Sequence, residues 1–354
     1  GLPVNGSQLA ATNKVSISPA PLGISVSAIY SGTTTVAPTS FVVSGLVNSE
    51  TITAISAATL NNANVSANNG NYVTAITVSS GTAAMSNYAI TAGYNTVLGN
   101  TQNKVTLTPK TLTVGGISIT NKTYDGTTSA TAAGSLVGVA SGDLANVTLT
   151  QVATFTSANV GNNISVVMVD SISGSAAGNY TLVQPTGITG NILPKALTIS
   201  GTVAVANKVY DGNTVATLSG GTLSGVLSGD ANLVSLVLSG NFAQSNVGTA
   251  IAITSTSTLS GIAASNYSLT QPTGLSANIT PKTLTVSGTT VANKVYNANT
   301  AASVSGGTLV GLISADAANV TLNQAGTFSS ANAANGIAIV INNSISGSAS
   351  GNYT

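Results

Sequence analysis

The 354-residue sequence contains no cysteine, histidine, arginine or tryptophan. Without cysteine there is neither a disulfide nor a thiolate metal site, so stability has to come from packing and strand pairing. A cysteine-free chain also suits an exported protein that must avoid oxidative mispairing. Without histidine the commonest general base is missing, and nucleophilic catalysis shrinks to a Ser–Lys pair for which no motif speaks. The expectation is a protein that is not an enzyme and carries no cofactor. Charge is scarce as well: eight lysines against seven acids give a net charge of +1, and charged residues are 4% of the chain, against about 25% in ordinary soluble proteins. That excludes a basic patch for nucleic acid or anionic lipid, and near-neutrality favours association. Aromatic residues are 4%, too few for the stacking platforms of a carbohydrate-binding module. No apolar run approaches the roughly 20 residues of a membrane-spanning helix. No signal peptide is visible at Gly1, so the chain reads as mature or as a fragment.

Serine, threonine, asparagine and glycine are abundant beside 43% hydrophobic residues. Disordered segments combine low hydrophobicity with high net charge; here small apolar residues alternate with hydroxyl residues, the period-2 signature of half-buried strands. The motif Asn207-Lys208-Val209-Tyr210-Asp211-Gly212-Asn213-Thr214 recurs as Asn121-Lys122-Thr123-Tyr124-Asp125-Gly126-Thr127-Thr128 and, degraded, as Asn293-Lys294-Val295-Tyr296-Asn297-Ala298-Asn299-Thr300. A weaker echo is Ala28-Ile29-Tyr30-Ser31-Gly32-Thr33. The three clear tyrosines lie 86 residues apart each time, which marks a tandem array.

Strand-like openers Pro109-Lys110-Thr111-Leu112, Pro194-Lys195-Ala196-Leu197 and Pro281-Lys282-Thr283-Leu284 set the boundaries, and each proline falls where pairing can stop. The expected divisions are 1–18, a tail-like strand segment; 19–108, a divergent module; 109–193 and 194–280, complete modules; and 281–354, a module without its last strand. Within 109–193 the expected strands are 112–119, 129–132, 136–139, 147–155, 164–172, 180–184 and 188–192. Gly, Asn, Asp and Ser clusters punctuate them, as in an antiparallel sandwich or small barrel. The expected fold class is therefore all-β: an elongated tandem array of four antiparallel β-sandwich-like modules, of immunoglobulin-like or grasp-like topology.

Each module closes on Asn-Tyr, at Tyr88, Tyr180, Tyr267 and Tyr353. After Tyr180 and Tyr267 come a Gln-Pro-Thr-Gly turn and one more strand, whereas the sequence stops one residue after Tyr353. Asn13-Lys14-Val15-Ser16-Ile17-Ser18-Pro19 matches Asn103-Lys104-Val105-Thr106-Leu107-Thr108-Pro109, the strand that closes the first module. The chain thus reads as a near circular permutation of four modules, with a spare strand in front.

Together, Pro-Lys-Thr-Leu-Thr-Val, Asn-Lys-Val-Tyr-Asp-Gly, Ser228-Gly229-Asp230, Asn246-Val247-Gly248 and Asn-Tyr-Ser-Leu-Thr-Gln-Pro-Thr-Gly resemble the YDG-type repeat. Such repeats occur in bacterial surface and secreted proteins, including filamentous-haemagglutinin-like adhesins. The resemblance is close over 109–354 and weak over 19–108. It implies an exported, mostly β stalk or fibre, extracellular or at the cell surface, with host or neighbouring-cell surfaces among its partners and a place in adhesion and biofilm.

Tyr124, Asp125, Gly126, Tyr210, Asp211, Gly212, Tyr296 and Asn297 read as a strand running into a turn. Gly tolerates positive φ, Asp accepts a local hydrogen bond, and Asn297 keeps that bond without the charge. Asp143, Asp230 and Asp316 recur once per module and read as loop caps, with calcium at a module junction as the sharper alternative; calcium wants six to eight oxygens. A Lys–Asn isopeptide bond would draw on Lys110, Asp143 and Asn179. Gly220-Gly221 and Gly306-Gly307 read as turns, since no helix follows to cradle phosphate. Asn-X-Ser/Thr sequons occur about as often as composition alone would give.

The leading functional expectation is a structural subunit of an extracellular filament. It would polymerise head to tail by strand complementation, with Val4, Leu9, Val15 and Ile17 of one copy filling the slot that opens after Tyr353 in the next. The rival expectation is a stalk segment of a longer adhesin that presents a distant tip.

Overall fold

The computed structural model describes residues 16–90, 93 and 103–354. The chain is all-β. Among the described residues the helical pieces are three-residue 3-10 turns, as expected where Gly, Asn and Ser interrupt every apolar stretch. Among the described residues no helix is long and apolar enough to cross a membrane. Two compact units divide it: the described residues up to Lys122 with Thr127–Ile192, and Thr123–Gly126 with Leu193–Thr354.

The third repeat shows the plan. A five-stranded sheet runs Lys208–Val209, Leu275–Thr280, Gly248–Ser255, Gly240–Phe242, Val215–Ala216. A three-stranded sheet runs Leu218–Ser224, Lys195–Val205, Tyr267–Leu269, and Ser235–Val237 pairs with Thr258–Ser260. Tyr267–Leu269 lies parallel to Lys195–Val205, and Lys208–Val209 parallel to Leu275–Thr280; the other pairs are antiparallel. Leu197, Phe242 and Ile279, each 3% exposed or less, point inward from three strands, and the alternation of their neighbours follows the pleat.

The second repeat carries the same strands with a refinement of the sequence reading. The stretch 147–155 is two strands, Thr148–Thr150 and Ala153–Phe155, and 164–172 is likewise two, Gly161–Met168 and Ser171–Ser173. The halves belong to different sheets: Thr148–Thr150 pairs with Ser171–Ser173, and Ala153–Phe155 with Gly161–Met168. The Gln of the Gln-Pro-Thr-Gly turn holds the break. Gln184 accepts the Asp170 N–H at 2.7 Å and donates to its carbonyl at 2.8 Å, and Gln271 does the same for Ser257 at 3.1 and 2.8 Å. A side-chain amide thus replaces the ladder partner that the chain loses on switching sheets.

The first repeat keeps the parallel closing strand, Val105–Thr108 against Ala20–Ile29. Its Tyr30 N–H donates to the Thr108 carbonyl at 3.0 Å, as Tyr210 does to Thr280 at 2.8 Å. Of the four expected strand-donor residues, Val4, Leu9 and Val15 lie outside the described residues; Ile17 is 94% exposed.

Candidate functional site: tyrosine joints and an open groove

The Asn-Lys-x-Tyr-Asp-Gly motif builds a turn tied by its own lysine. Lys208 Nζ donates to the Asn213 carbonyl at 2.8 Å and Oδ1 at 2.9 Å, reaches the Val215 carbonyl at 3.2 Å, and pairs with Asp211 at 2.7 Å. It also lies over the Phe242 ring, 5.7 Å from the centroid, a cation–π contact. Burial works to raise the Asp211 pKa, but Lys208 and the Asn213 N–H outweigh it and hold the carboxyl below its ordinary value. In the fourth repeat Lys294 makes the same bonds, to the Asn299 carbonyl and Oδ1 at 2.7 Å each and to the Ala301 carbonyl at 3.0 Å. Asn297 takes the Asp211 role in the turn, accepting the Asn299 N–H at 3.3 Å.

The turn's product is the position of its tyrosine. Tyr210 donates its hydroxyl to Asp316 Oδ2 at 2.9 Å, and Tyr353 donates to the same oxygen. The rings meet edge to face, with centroids 5.4 Å apart at 83°. The Tyr353 hydroxyl in turn accepts the Ile313 N–H at 3.3 Å. Tyr124, in the segment Thr123–Gly126 of the second unit, repeats this with Asp230 at 2.8 Å; Tyr267 reaches the same oxygen at 2.7 Å. In the first unit Tyr30 and Tyr180 share Asp143 Oδ2 at 2.6 and 2.7 Å. Each joint therefore ties the motif tyrosine of one repeat to the Ser-x-Asp turn and the Asn-Tyr of the next.

Hydrogen bonds to a charged acceptor are the strong class, and one carboxylate oxygen collects two of them. All six phenols are 6% exposed or less. Burial first, and then the neighbouring carboxylate, raise their pKa values: Tyr180, Tyr267 and Tyr353 reach about 12, and Tyr30, Tyr124 and Tyr210 move the same way.

A second tie runs beside two of the joints. Asn352 accepts the Val247 N–H at 2.9 Å and donates to Asn246 Oδ1 at 3.1 Å. Asn179 does so with Val65 at 2.8 Å and Asn64 at 3.0 Å. An Asn-Val pair of one repeat, Asn246-Val247 or Asn64-Val65, is thus read by the Asn-Tyr asparagine of the next. Apolar contacts fill in around them: Tyr30, Leu112, Ala140, Val147, Ala176 and Tyr180 form one buried cluster.

These positions recast the sequence-based candidates. Asp143, Asp230 and Asp316 each sit in a 3-10 turn, but their carboxylates serve tyrosines. Among the described residues no three His, Cys, Asp or Glu side chains converge as metal ligands. Asn179, weighed as an isopeptide partner of Lys110, has its carboxamide engaged with Asn64 and Val65. Tyr353, expected at a polymer interface, is buried in the joint with Tyr210 of the preceding repeat. The joint itself escaped the sequence reading. Tyr124 and Asp143 lie 19 residues apart in one repeat, which invites local pairing, whereas Tyr124 bonds Asp230, 106 residues away. Glu50 escaped as well: it accepts the Tyr88 hydroxyl, while Tyr88 accepts the Val47 N–H at 3.1 Å. Glu50 thus stands where the later repeats have their aspartate.

Where Leu275–Thr280 lies between Gly248–Ser255 and Lys208–Val209 in the third repeat, the fourth has a groove of about 660 Å³. Lys294, Tyr296, Phe328, Asn332, Ile337 and Ile339 are among its lining residues. Val295 is 87%, Tyr296 61% and Val340 59% exposed.

Fold and joints together define a tandem β-repeat protein whose successive copies are tied by paired tyrosines. A family model for the YDG domain matches residues 108–187, 193–274 and 280–354, and the chain belongs to that family. No curated protein and no solved structure matches it.

Proposed function

We propose that this chain is a non-enzymatic structural subunit of an extracellular fibre, built of four sandwich-like modules and joined copy to copy by strand complementation. The observation that carries the proposal is the groove of the fourth repeat. Its counterpart in the third repeat holds a strand whose Ala277 and Ile279 point inward, 7% and 1% exposed. In the first repeat the same place is taken by Val105 and Leu107, 0% and 2% exposed. Residues 13–18 match that strand in sequence, Val15 aligning with Val105 and Ile17 with Leu107. A second copy that inserts them would cover the exposed edge of Ile339–Ile341 and bury apolar surface, which is how strand addition gains its affinity.

The test is to delete residues 1–18 and examine the protein by electron microscopy. The proposal expects filaments from the full chain and dispersed particles from the deletion. Filaments that persist unchanged after the deletion contradict it.

A second reading, a stalk segment of a longer surface adhesin, is favoured by the joints. Phenol–carboxylate–phenol ties between successive repeats would resist pulling along such a stalk. Exclusive growth from copies whose residues 1–18 are intact speaks against this reading as the whole function.

A further inference from the structure

We propose that the three tyrosine pairs are sites of oxidative coupling, where a one-electron oxidant joins the two rings carbon to carbon and staples each repeat covalently to the next. Such staples would serve a fibre subunit and a stalk alike.

Composition directs oxidation to these rings. Cysteine, tryptophan, histidine and methionine are the side chains that compete with tyrosine for oxidants. The chain has none of the first three and two methionines, against ten tyrosines. The lack of cysteine also closes the disulfide route to a covalent tie.

Geometry then pairs the rings. Tyr30 with Tyr180, Tyr124 with Tyr267 and Tyr210 with Tyr353 have centroids 5.3, 5.4 and 5.4 Å apart, at interplanar angles of 81°, 82° and 83°. In each pair both hydroxyls donate to one oxygen of one aspartate. The carbons ortho to those hydroxyls therefore lie at the same end of the pair. A phenoxyl radical carries its spin on the oxygen and on the ortho and para carbons. In tyrosine the para carbon bears the rest of the side chain, which leaves the ortho carbons to couple. Edge-to-face rings must turn towards each other before they bond, and rotation about χ2, a soft torsion, does this. Its axis passes through the hydroxyl oxygen, so a ring turns while its oxygen stays at the carboxylate.

The shared carboxylate is also the base. Burial first, and then the carboxylate, raise the phenol pKa values, so the rings are oxidised as phenols and each electron leaves together with a proton. Asp143, Asp230 or Asp316 accepts that proton along the existing hydrogen bond and releases it to solvent before the second phenol reacts. The two radicals then form one C–C bond, and the hydrogens of the bonded carbons move to the phenol oxygens. In all, each joint loses two electrons and two protons, which reduce the O–O bond of one peroxide, the terminal oxidant. The biphenol keeps both hydroxyls for the aspartate. Each bond closes a loop longer than a whole repeat, and in the chain-entropy account cross-links over long loops restrict the unfolded state most.

The eight lysines make the test direct. Cleavage after lysine leaves Tyr30 in peptide 15–104, Tyr124 and Tyr180 in 123–195, Tyr210 and Tyr267 in 209–282, and Tyr353 in 295–354. The dilute 354-residue chain is oxidised with a photoexcited ruthenium complex and persulfate until Tyr296, 61% exposed, is half consumed. The monomer is then digested for mass spectrometry. Expected are 15–104 joined to 123–195, 123–195 to 209–282, and 209–282 to 295–354 through Tyr353. Each pair should be lighter by two hydrogens and at least about tenfold more abundant than any other pairing, because the rings are held together before they react. Tyr210→Phe should remove the link between 209–282 and 295–354 and leave the other two. Consumption of Tyr296 without these pairs, or with pairings spread evenly over the four peptides, would overturn the proposal. So would a link between 209–282 and 295–354 that is undiminished in Tyr210→Phe.

Discussion

The third and fourth repeats share a lysine-pinned turn and differ in how their strands pair. In the third, Gly248–Ser255 spans eight residues and pairs on both sides. In the fourth, its counterpart is Ile339–Ile341, three residues paired on one side. Phe242 is 3% exposed, while Phe328 is only half-buried. The lysine-pinned turn, by contrast, keeps its lysine hydrogen bonds in both repeats, although the Lys208–Asp211 ion pair has no counterpart at Asn297. Local hydrogen bonding builds the turn without help, and long-range pairing is what the strand contributes.

Several experiments would break or sharpen that contrast. The largest effect is expected from truncating the filling strand. Ile279→Ala should destabilise the second unit by about 2–5 kcal/mol in urea unfolding, while Ile339→Ala, beside the groove, should cost clearly less. Next comes Asp230→Ala, which strands two buried tyrosine hydroxyls and should cost about 2–4 kcal/mol; Asp230→Asn keeps an acceptor oxygen and should cost less. Tyr210→Phe removes one charge-assisted bond and should cost about 1.5–3 kcal/mol, against almost nothing for Tyr296→Phe in dispersed protein.

The same phenols set a pH limit. Their pKa values are raised, so their contribution is complete below the ordinary value of 10.0 and is lost as the pH climbs towards about 12. Thermal melts should hold up to about pH 10 and fall steeply above it, less steeply in Tyr210→Phe. The smallest effect is a gain. Ala298 has φ 61°, where the third repeat has Gly212 at 79°, and Ala298→Gly should stabilise by about 1 kcal/mol in unfolding experiments.

Much of the fold was legible because strand and turn signals are local. Alternation placed most strands, the Asp-Gly copies fixed the repeat, and the family motifs agreed with both. The split strands at 147–155 and 164–172 were not legible, because the switch between sheets depends on Gln184, which reaches Asp170 from 14 residues away. The joints were hidden for the same reason on a larger scale. A tyrosine marks its turn within eight residues, but its acid lies one repeat further on. The signal was nonetheless present. Asp143, Asp230 and Asp316 keep the period of the tyrosines, and an acid that recurs in phase with a tyrosine is a candidate partner at any offset. Glu50 had no such phase mark, since the first repeat has diverged around it.

The central claim is that the groove of the fourth repeat takes a strand from residues 1–18 of another copy. Amide hydrogen exchange on chain lacking residues 1–18, with and without a synthetic peptide of those residues, tests it most directly. The account predicts at least about tenfold slower exchange across 337–341 and 293–295 once peptide is added, with Gly248–Ser255 unchanged. Unaltered exchange across 337–341 at saturating peptide would contradict it.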